Sequence, residues 1–493
     1  MLGVNYYIVM VTMVLFIKKQ KNDRKLEDME RKLSVWIPDL TAIDGPRYKA
    51  LAIAIGAAIK QGELIPDERL PTHRSLAEAL EVTVGTVSRG YAEAESRGFV
   101  FAVVGRGTFV RGKDEPGMLH IPEQNDAIID FSLNLPIKLD KAEDLATVMR
   151  DISKRPGDMN KLLCYQPDVG LKEHREVLAG WFSQYQWQVT ADKVIITHGA
   201  QHGILVSLMA LTRPGDVILS EGLTYPGLTA ITHQLKVETQ GLVLDKEGIV
   251  PEALEAACRR HQPKLLYCTP TLQNPTTAIM SVERRQEIIR ICQQHNVLIL
   301  EDDVNGPLAE SAPLPLAAMA PEQVVYIGSL SKSLAAGLRI GTLVIPEAVR
   351  DRIADSVRAS CWMVSPVVAE IACEWIRSGR AEDQVAHQKQ DMKLRQDIAR
   401  KKLSSFDAVI TPFGFHIWLM LPEPWRASQF VKEAEHRGIL LKGAGTFAVG
   451  RFEAPHGVRI AISCARDIEQ LEKGLDVLVE MLKAGPEPTL SVF

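Results

Sequence analysis

Ser329-Leu-Ser-Lys-Ser-Leu-Ala-Ala-Gly-Leu-Arg-Ile-Gly341 is the stretch from which the rest of the chain can be read. It follows the apolar run 324–327, so Lys332 falls just past the carboxyl end of a strand. A lysine set among small and apolar residues loses proton affinity through desolvation, and its neutral amine then attacks carbonyl carbon. Ser329, Ser331 and Arg339 around it supply donors for a doubly charged phosphate, and the arginine fork suits that anion bidentately. Upstream, short β-rich runs at 193–197, 216–220, 264–268 and 297–300 alternate with helical patterns such as 281–295. That alternation predicts an α/β domain with a mostly parallel sheet, whose ligands lie beyond the carboxyl ends of its strands.

Other groups suited to the same chemistry fall at such ends. Leu298-Ile-Leu-Glu-Asp-Asp-Val-Asn305 places acids after a buried strand; Asp302 is the first choice for a carboxylate facing a ring nitrogen, and Asp303 the alternate. Gln273-Asn-Pro-Thr-Thr277 offers Asn274 as a donor to a phenolate oxygen. Thr197-His-Gly-Ala-Gln-His-Gly203 ends a strand and opens a helix, so the amides of Ala200 and Gln201 make a phosphate cradle. The helix dipole adds up to about 2 kcal/mol there. Tyr225, in Leu-Thr-Tyr-Pro-Gly-Leu, is placed to stack on a ring. An amine, a phosphate cradle, a carboxylate and a stacking ring together suit pyridoxal 5'-phosphate (PLP). Its pyridine nitrogen must stay protonated for the ring to draw electrons.

Ahead of this domain the pattern is different. A helix over 46–58 carries Tyr48, Leu51, Ala52 and Ile55 on one face, and Gly62 and Pro66 end it. Thr72 caps a second helix that carries Leu76 and Leu80 inward. A tight turn at Glu81 and Val82 leads to Thr83, a further cap, and to a third helix with Val87, Tyr91 and Ala94 on its buried stripe. Two short helices across a tight turn form a helix-turn-helix. The runs 99–104 and 108–110 flank Gly105-Arg-Gly107, a turn suited to a wing hairpin.

The order helix, helix, recognition helix and wing, with LPTHRSLA, VTVGTVSRGY and VGRGTFV, resembles the GntR family over 46–110. The downstream motifs resemble fold-type I aminotransferases. The pair together resembles the MocR branch of GntR regulators, over about 50 to 480. The resemblance implies double-stranded DNA as partner, with Arg74, Thr83, Thr86 and Ser88 at phosphate or base edges and Arg106 in the minor groove. Many relatives carry arginine where this chain has Val84, which shifts base choice toward Arg89 and apolar contact with thymine methyls. For the larger domain it implies PLP on Lys332, held by Asp302, Asn274, Tyr225, Ser329, Ser331 and Arg339. It implies a homodimer in which Tyr165 reaches the partner's phosphate, and Arg459, in HGVRIAIS, as a clamp for a substrate carboxylate. Two positions depart from the family: Asn305 stands where tyrosine is usual, able to donate to the phenolate oxygen but not to act as a phenol, and Thr277 replaces a glycine.

Bulk properties bound these readings. The 493 residues exceed one ordinary domain and carry a net charge of −4, so DNA binding must rest on a local patch. The seven cysteines show no CxxC pair, against a disulfide framework or zinc. No GxGxxG follows a strand, against a nicotinamide enzyme. The chain divides into an extension (1–28), a winged helix-turn-helix (29–111), a polar linker (112–128), the aminotransferase-like domain (129–485) and a tail (486–493). Residues 2–17 are almost all apolar and are followed by Lys18, Lys19, Lys21, Arg24 and Lys25. That run is shorter than the roughly 20 residues a membrane helix needs. The expectation is a cytoplasmic protein, with Met29 a candidate true start. Two functions stay open: a regulator that senses a small amine or amino acid, and an active aminotransferase with an appended DNA module.

Overall fold

The computed structural model describes residues 36–40, 43, 45–65, 68–96, 99–103, 107–110, 128–137, 142–183, 186–310, 312–450 and 452–486. The extension, Arg106 and most of the linker therefore lie outside the described residues. Two compact units divide between Glu115 and Pro116.

The first unit consists of α1 (Arg47–Gln61), α2 (His73–Ala79), α3 (Val84–Ser96) and a hairpin of β1 (Val100–Val103) with β2 (Gly107–Val110). Thr72 caps α2 by accepting from Ser75 N at 3.2 Å, and Thr83 accepts from Thr86 N at 3.2 Å at the start of α3. Leu51, Ile55, Leu76, Val87, Tyr91, Ala94, Val100 and Val110 form the core. Tyr91 also donates to Pro71 O at 2.8 Å, which ties α3 to the α2 entry. Gly90 lets α1 and α3 approach closely: a Cβ there would fall 2.6 Å from Leu51 Cδ2. Gly90→Val is therefore expected to destabilise this unit by about 1–3 kcal/mol. Hydrogen exchange on the full chain should show protection falling across α1 and α3 only.

The second unit is built on a seven-stranded sheet. Its strands are β3 (Val194–Thr197), β4 (Val217–Glu221), β5 (Glu238–Leu242), β6 (Leu265–Cys268), β7 (Leu298–Asp302), β8 (Val324–Ser329) and β9 (Gly341–Val344), in spatial order β3-β9-β8-β7-β6-β4-β5. The expected strands are present, with ends shifted by only a residue or two. β9 alone runs antiparallel to both neighbours, β8 and β3. Four-residue runs buried at every position, as in β3, β6 and β9, fit a sheet covered on both faces. The helix α4 (Gly199–Leu211) follows β3, and α5 (Val282–Gln294) starts at the Ser281 cap.

A second sheet, β10 (Ala408–Val409), β11 (Ile417–Met420), β12 (Lys442–Gly443) and β13 (Gly457–Ile460), pairs antiparallel in order β10-β11-β13-β12. The helices α6 (Arg380–Lys402) and α7 (Ile468–Ala484) pack by it, around Met392, Ile417, Ile460, Leu475 and Leu478. No single described helix is long and apolar enough to cross a membrane.

Candidate functional site

β8 ends at Ser329, whose hydroxyl accepts from Ser331 N at 3.1 Å and so caps the one-turn helix Leu330–Ser333. That cap fixes Lys332 one turn past the strand. Ser329 also donates to Ile340 O at 3.4 Å, so its hydroxyl is turned into the local fold. Arg339 donates to Ser331 Oγ at 3.2 Å and to His198 O at 3.5 Å. The arginine thereby links the lysine loop to the turn between β3 and α4. Gly199 in that turn has φ +76°, and a Cβ there would fall 2.6 Å from Arg339 Nη2. Ala200 and Gln201 follow in the first turn of α4, where a helix leaves its amides without internal partners.

Burial pulls the Lys332 amine down to about 8, and Arg459 and Arg339 push the same way while Asp302 opposes them. Asp302, at the end of β7, is buried and accepts from Tyr267 at 2.6 Å. Its carboxyl is raised by burial, against hydrogen bonds from Tyr267 and Val304 N. Tyr225 immediately precedes the helix Pro226–Leu235, and burial, aided by Asp302 and opposed by Arg339 and Arg459, pushes its phenol up to about 12. Its ring lies over Gly227, where a Cβ would come within 2.2 Å.

Arg459, in β13, is fully enclosed. It donates to Asn274 Oδ1 at 2.8 Å and to Ser132 O at 2.5 Å, and its guanidinium carbon stands 4.8 Å from the Phe447 ring centroid. Cys464 reaches Leu133 O, and Lys332 donates to Asn134 O. Three successive carbonyls of the segment that opens this unit are thus taken by three side chains of the site.

Most of the expected set converges here: Lys332, Asp302, Asn274, Tyr225, Ser331, Arg339, Arg459 and the α4 entrance. Asn305 does not aim wholly at a ring oxygen, because its amide nitrogen donates to Leu272 O at 3.2 Å. Tyr165 is 82% exposed, 5.8 Å from the Trp362 ring, and joins no other member of the set within one chain. Two buried groups were not anticipated. Tyr267 stands in an apolar strand, and Glu221 at the end of β4 accepts from Thr269 N at 2.9 Å while burial raises its carboxyl to about 8.

PLP fits this donor set on the structure's own terms. Asn134 Oδ1, Asn305 Oδ1 and Arg459 Nε are buried with no hydrogen-bond partner among the described residues, a state that calls for a polar ligand. Lys332, Asp302 and the Gly199 turn with Arg339 would hold its aldehyde, ring nitrogen and phosphate.

In the first unit, Arg74 lies exposed in the first turn of α2, Thr83 and Val84 lie exposed at the start of α3, and Thr83 and Thr86 share a 2.9 Å hydroxyl contact. Ser88 is half-buried, 3.5 Å from His73 Nδ1. Arg89 is exposed, and its guanidinium carbon lies 5.4 Å from the Tyr48 ring centroid.

Comparison with known proteins agrees with both units. Residues 127–478 match the family of class I and II aminotransferases, and residues 47–110 match the bacterial regulatory proteins of the gntR family. The HTH-type transcriptional regulator YdeF of Bacillus subtilis (strain 168) is 30% identical over 470 residues, covering 91% of this chain and 96% of its own. The HTH-type transcriptional regulator TauR of Rhodobacter capsulatus is 26% identical, covering 82% and 90%. Among solved structures, an archaeal alanine:glyoxylate aminotransferase aligns with TM-score 0.66 at 23% identity, over 72% of this chain and 91% of that one. LysN, the alpha-aminoadipate aminotransferase of Thermus thermophilus, aligns with TM-score 0.66 at 22% identity, over 73% and 92%. The chain belongs to the class I and II aminotransferase family, in the branch of regulators that carry a GntR-type DNA-binding module ahead of that domain.

Proposed function

We propose that this chain is a PLP-dependent transcription regulator that senses a small amine or amino acid through its aminotransferase-like domain. The observation that carries the sensing role is the grip of Arg459 and Lys332 on Ser132 O and Asn134 O. Arg459 is drawn to a ligand carboxylate, and Lys332 to the carbonyl of the cofactor. Lys332 would release Asn134 O when the cofactor is loaded, and Arg459 would release Ser132 O when the ligand binds; the second change supplies the differential contact that a conformational response requires. When bound, the cofactor supplies a carbonyl for amines and an electron-withdrawing ring. Asp302 would keep that ring charged, and Tyr225 would stack on it.

The same groups support a second reading, turnover of an amino acid to a 2-oxo acid. Lys332, with its amine near 8, is suited to carry the proton that such a step moves. A panel of amines and amino acids separates the two. A spectral shift with altered operator affinity and no 2-oxo acid supports the sensor; steady 2-oxo acid production with unaltered DNA binding removes it. The regulator works as a homodimer in the cytoplasm, with Tyr165, exposed in one chain, completing the partner's phosphate site.

On DNA, Arg74 and the Thr83 and Thr86 hydroxyls position α3 on the backbone, and Val84, 46% exposed at its first turn, packs on a thymine methyl. Arg74→Ala is expected to weaken binding about uniformly across sequences and to lower the salt slope by about 1. Uracil in place of thymine across a selected site should weaken wild-type protein and leave Val84→Ala indifferent. Equal uracil sensitivity in both proteins would assign the methyl contact elsewhere.

A further inference from the structure

Tyr267 has no role in the chemistry so far, and its position is unusual. It lies in β6, opposite Ser220 of β4 and Leu300 of β7. The other residues of that strand, Leu265, Leu266 and Cys268, are apolar, as a sheet covered on both faces requires. Tyr267 is fully buried, and a buried hydroxyl needs a partner. It finds one in Asp302 Oδ2 at 2.6 Å, a short contact of the charge-assisted kind.

Asp302 has little other support. Val304 N reaches Oδ1 at 3.4 Å, and no arginine, lysine or histidine forms an ion pair with Asp302 among the described residues. Two further buried acids stand near, Glu221 at the end of β4 and the adjoining Asp303. A carboxylate in such surroundings is driven toward its neutral form unless a donor holds the charge. Burial and the Asp302 charge keep the phenol far above its ordinary range, so Tyr267 remains a donor at every working pH.

We propose that Tyr267 is the positioning residue of the cofactor site: its hydroxyl holds one oxygen of Asp302, so that the carboxylate stays charged and turns its other oxygen to the pyridine nitrogen. This rests on the reading that PLP is bound here with Asp302 at its ring nitrogen. Tyr267 touches no cofactor atom in this scheme, and its effect passes wholly through Asp302. It therefore matters only for a ring that has a nitrogen to protonate.

The test uses the full chain reconstituted with PLP and, in parallel, with 1-deazapyridoxal phosphate, in which carbon replaces the ring nitrogen. Dissociation constants are read from protein fluorescence, and covalent attachment from borohydride-fixed adducts. Tyr267→Phe is expected to weaken PLP about 10- to 100-fold, the loss of a buried hydrogen bond to a charged group. Affinity for the deaza analogue should be unchanged. Adding Tyr267→Phe to Asp302→Asn should cost nothing further, because the interaction it serves is already gone. Equal loss on both cofactors would make Tyr267 a merely structural residue and overturn the proposal, as would no loss on either. If wild-type protein itself takes up neither cofactor and yields no adduct at Lys332, the reading of the site fails, and the proposal with it.

Discussion

Lys332→Ala is expected to yield a protein with no visible Schiff-base band after incubation with PLP, and no borohydride-fixed adduct anywhere on the chain. Lys332 is held at the carboxyl end of β8 by the Ser329 cap, in the field of the buried Asp302 carboxylate from β7. Among the described residues, no other lysine is enclosed in this site, so no neighbour can substitute. The attachment reaction also carries a pH signature. The attacking species is the neutral amine, and burial together with Arg459 and Arg339 lowers its proton affinity to about 8. A lowered value means a larger neutral fraction at neutral pH, so attachment is fastest above that value. Below it the rate should fall about tenfold per pH unit. Stopped-flow absorbance over roughly pH 6 to 9 reads the midpoint. A midpoint close to that of a free lysine would mean that the amine is not enclosed as described. An adduct surviving in Lys332→Ala would move the cofactor to another residue.

Gly341→Ala is expected to lower unfolding stability by about 1–3 kcal/mol and to weaken PLP by at least about tenfold. A Cβ at 341 would fall 2.6 Å from Gly199 C, 2.9 Å from Gly199 Cα and 2.7 Å from Thr197 Oγ1. Two of those three atoms are backbone and cannot swing aside. The turn between β3 and α4 must move instead, and it carries the His198 carbonyl that anchors Arg339 and the amides of Ala200 and Gln201. Gly337 is the control: a Cβ there meets nothing within 4 Å, so Gly337→Ala should leave both measures unchanged. Thermal unfolding and cofactor titration on the two variants decide the matter. Matching behaviour would show that the glycine contact has no bearing on the phosphate site.

Much of this architecture was legible because its signals are local. Apolar runs ending in chemistry-bearing residues marked β7 and β8, and caps at Thr72 and Thr83 marked helix starts by their side-chain oxygens. What escaped reading depends on which strands become neighbours. Leu-Leu-Tyr-Cys reads as a plain buried strand, and only the order β4-β6-β7 places its phenol beside Asp302 and near Glu221. The stretch from Gly341 to Val344 reads as the tail of a glycine-bearing loop. It is a strand because the sheet admits it antiparallel between β8 and β3. The Tyr48 ring beside the Arg89 guanidinium escaped too, since nothing local announces a ring one helix away. Asn305 likewise sits where the family's tyrosine is expected, and its amide is turned to Leu272 O by the neighbouring loop.

The hold of Arg459, Cys464 and Lys332 on residues 132–134 has a thermodynamic corollary. If occupancy of the site alters operator affinity by some factor, operator DNA must alter affinity for the small molecule by that same factor. Titrating effector against the holoprotein with and without saturating operator would yield two constants whose ratio equals the one obtained when the roles are exchanged. A ratio other than one in either direction would measure the coupling between site occupancy and operator binding without any assumption about the path between them.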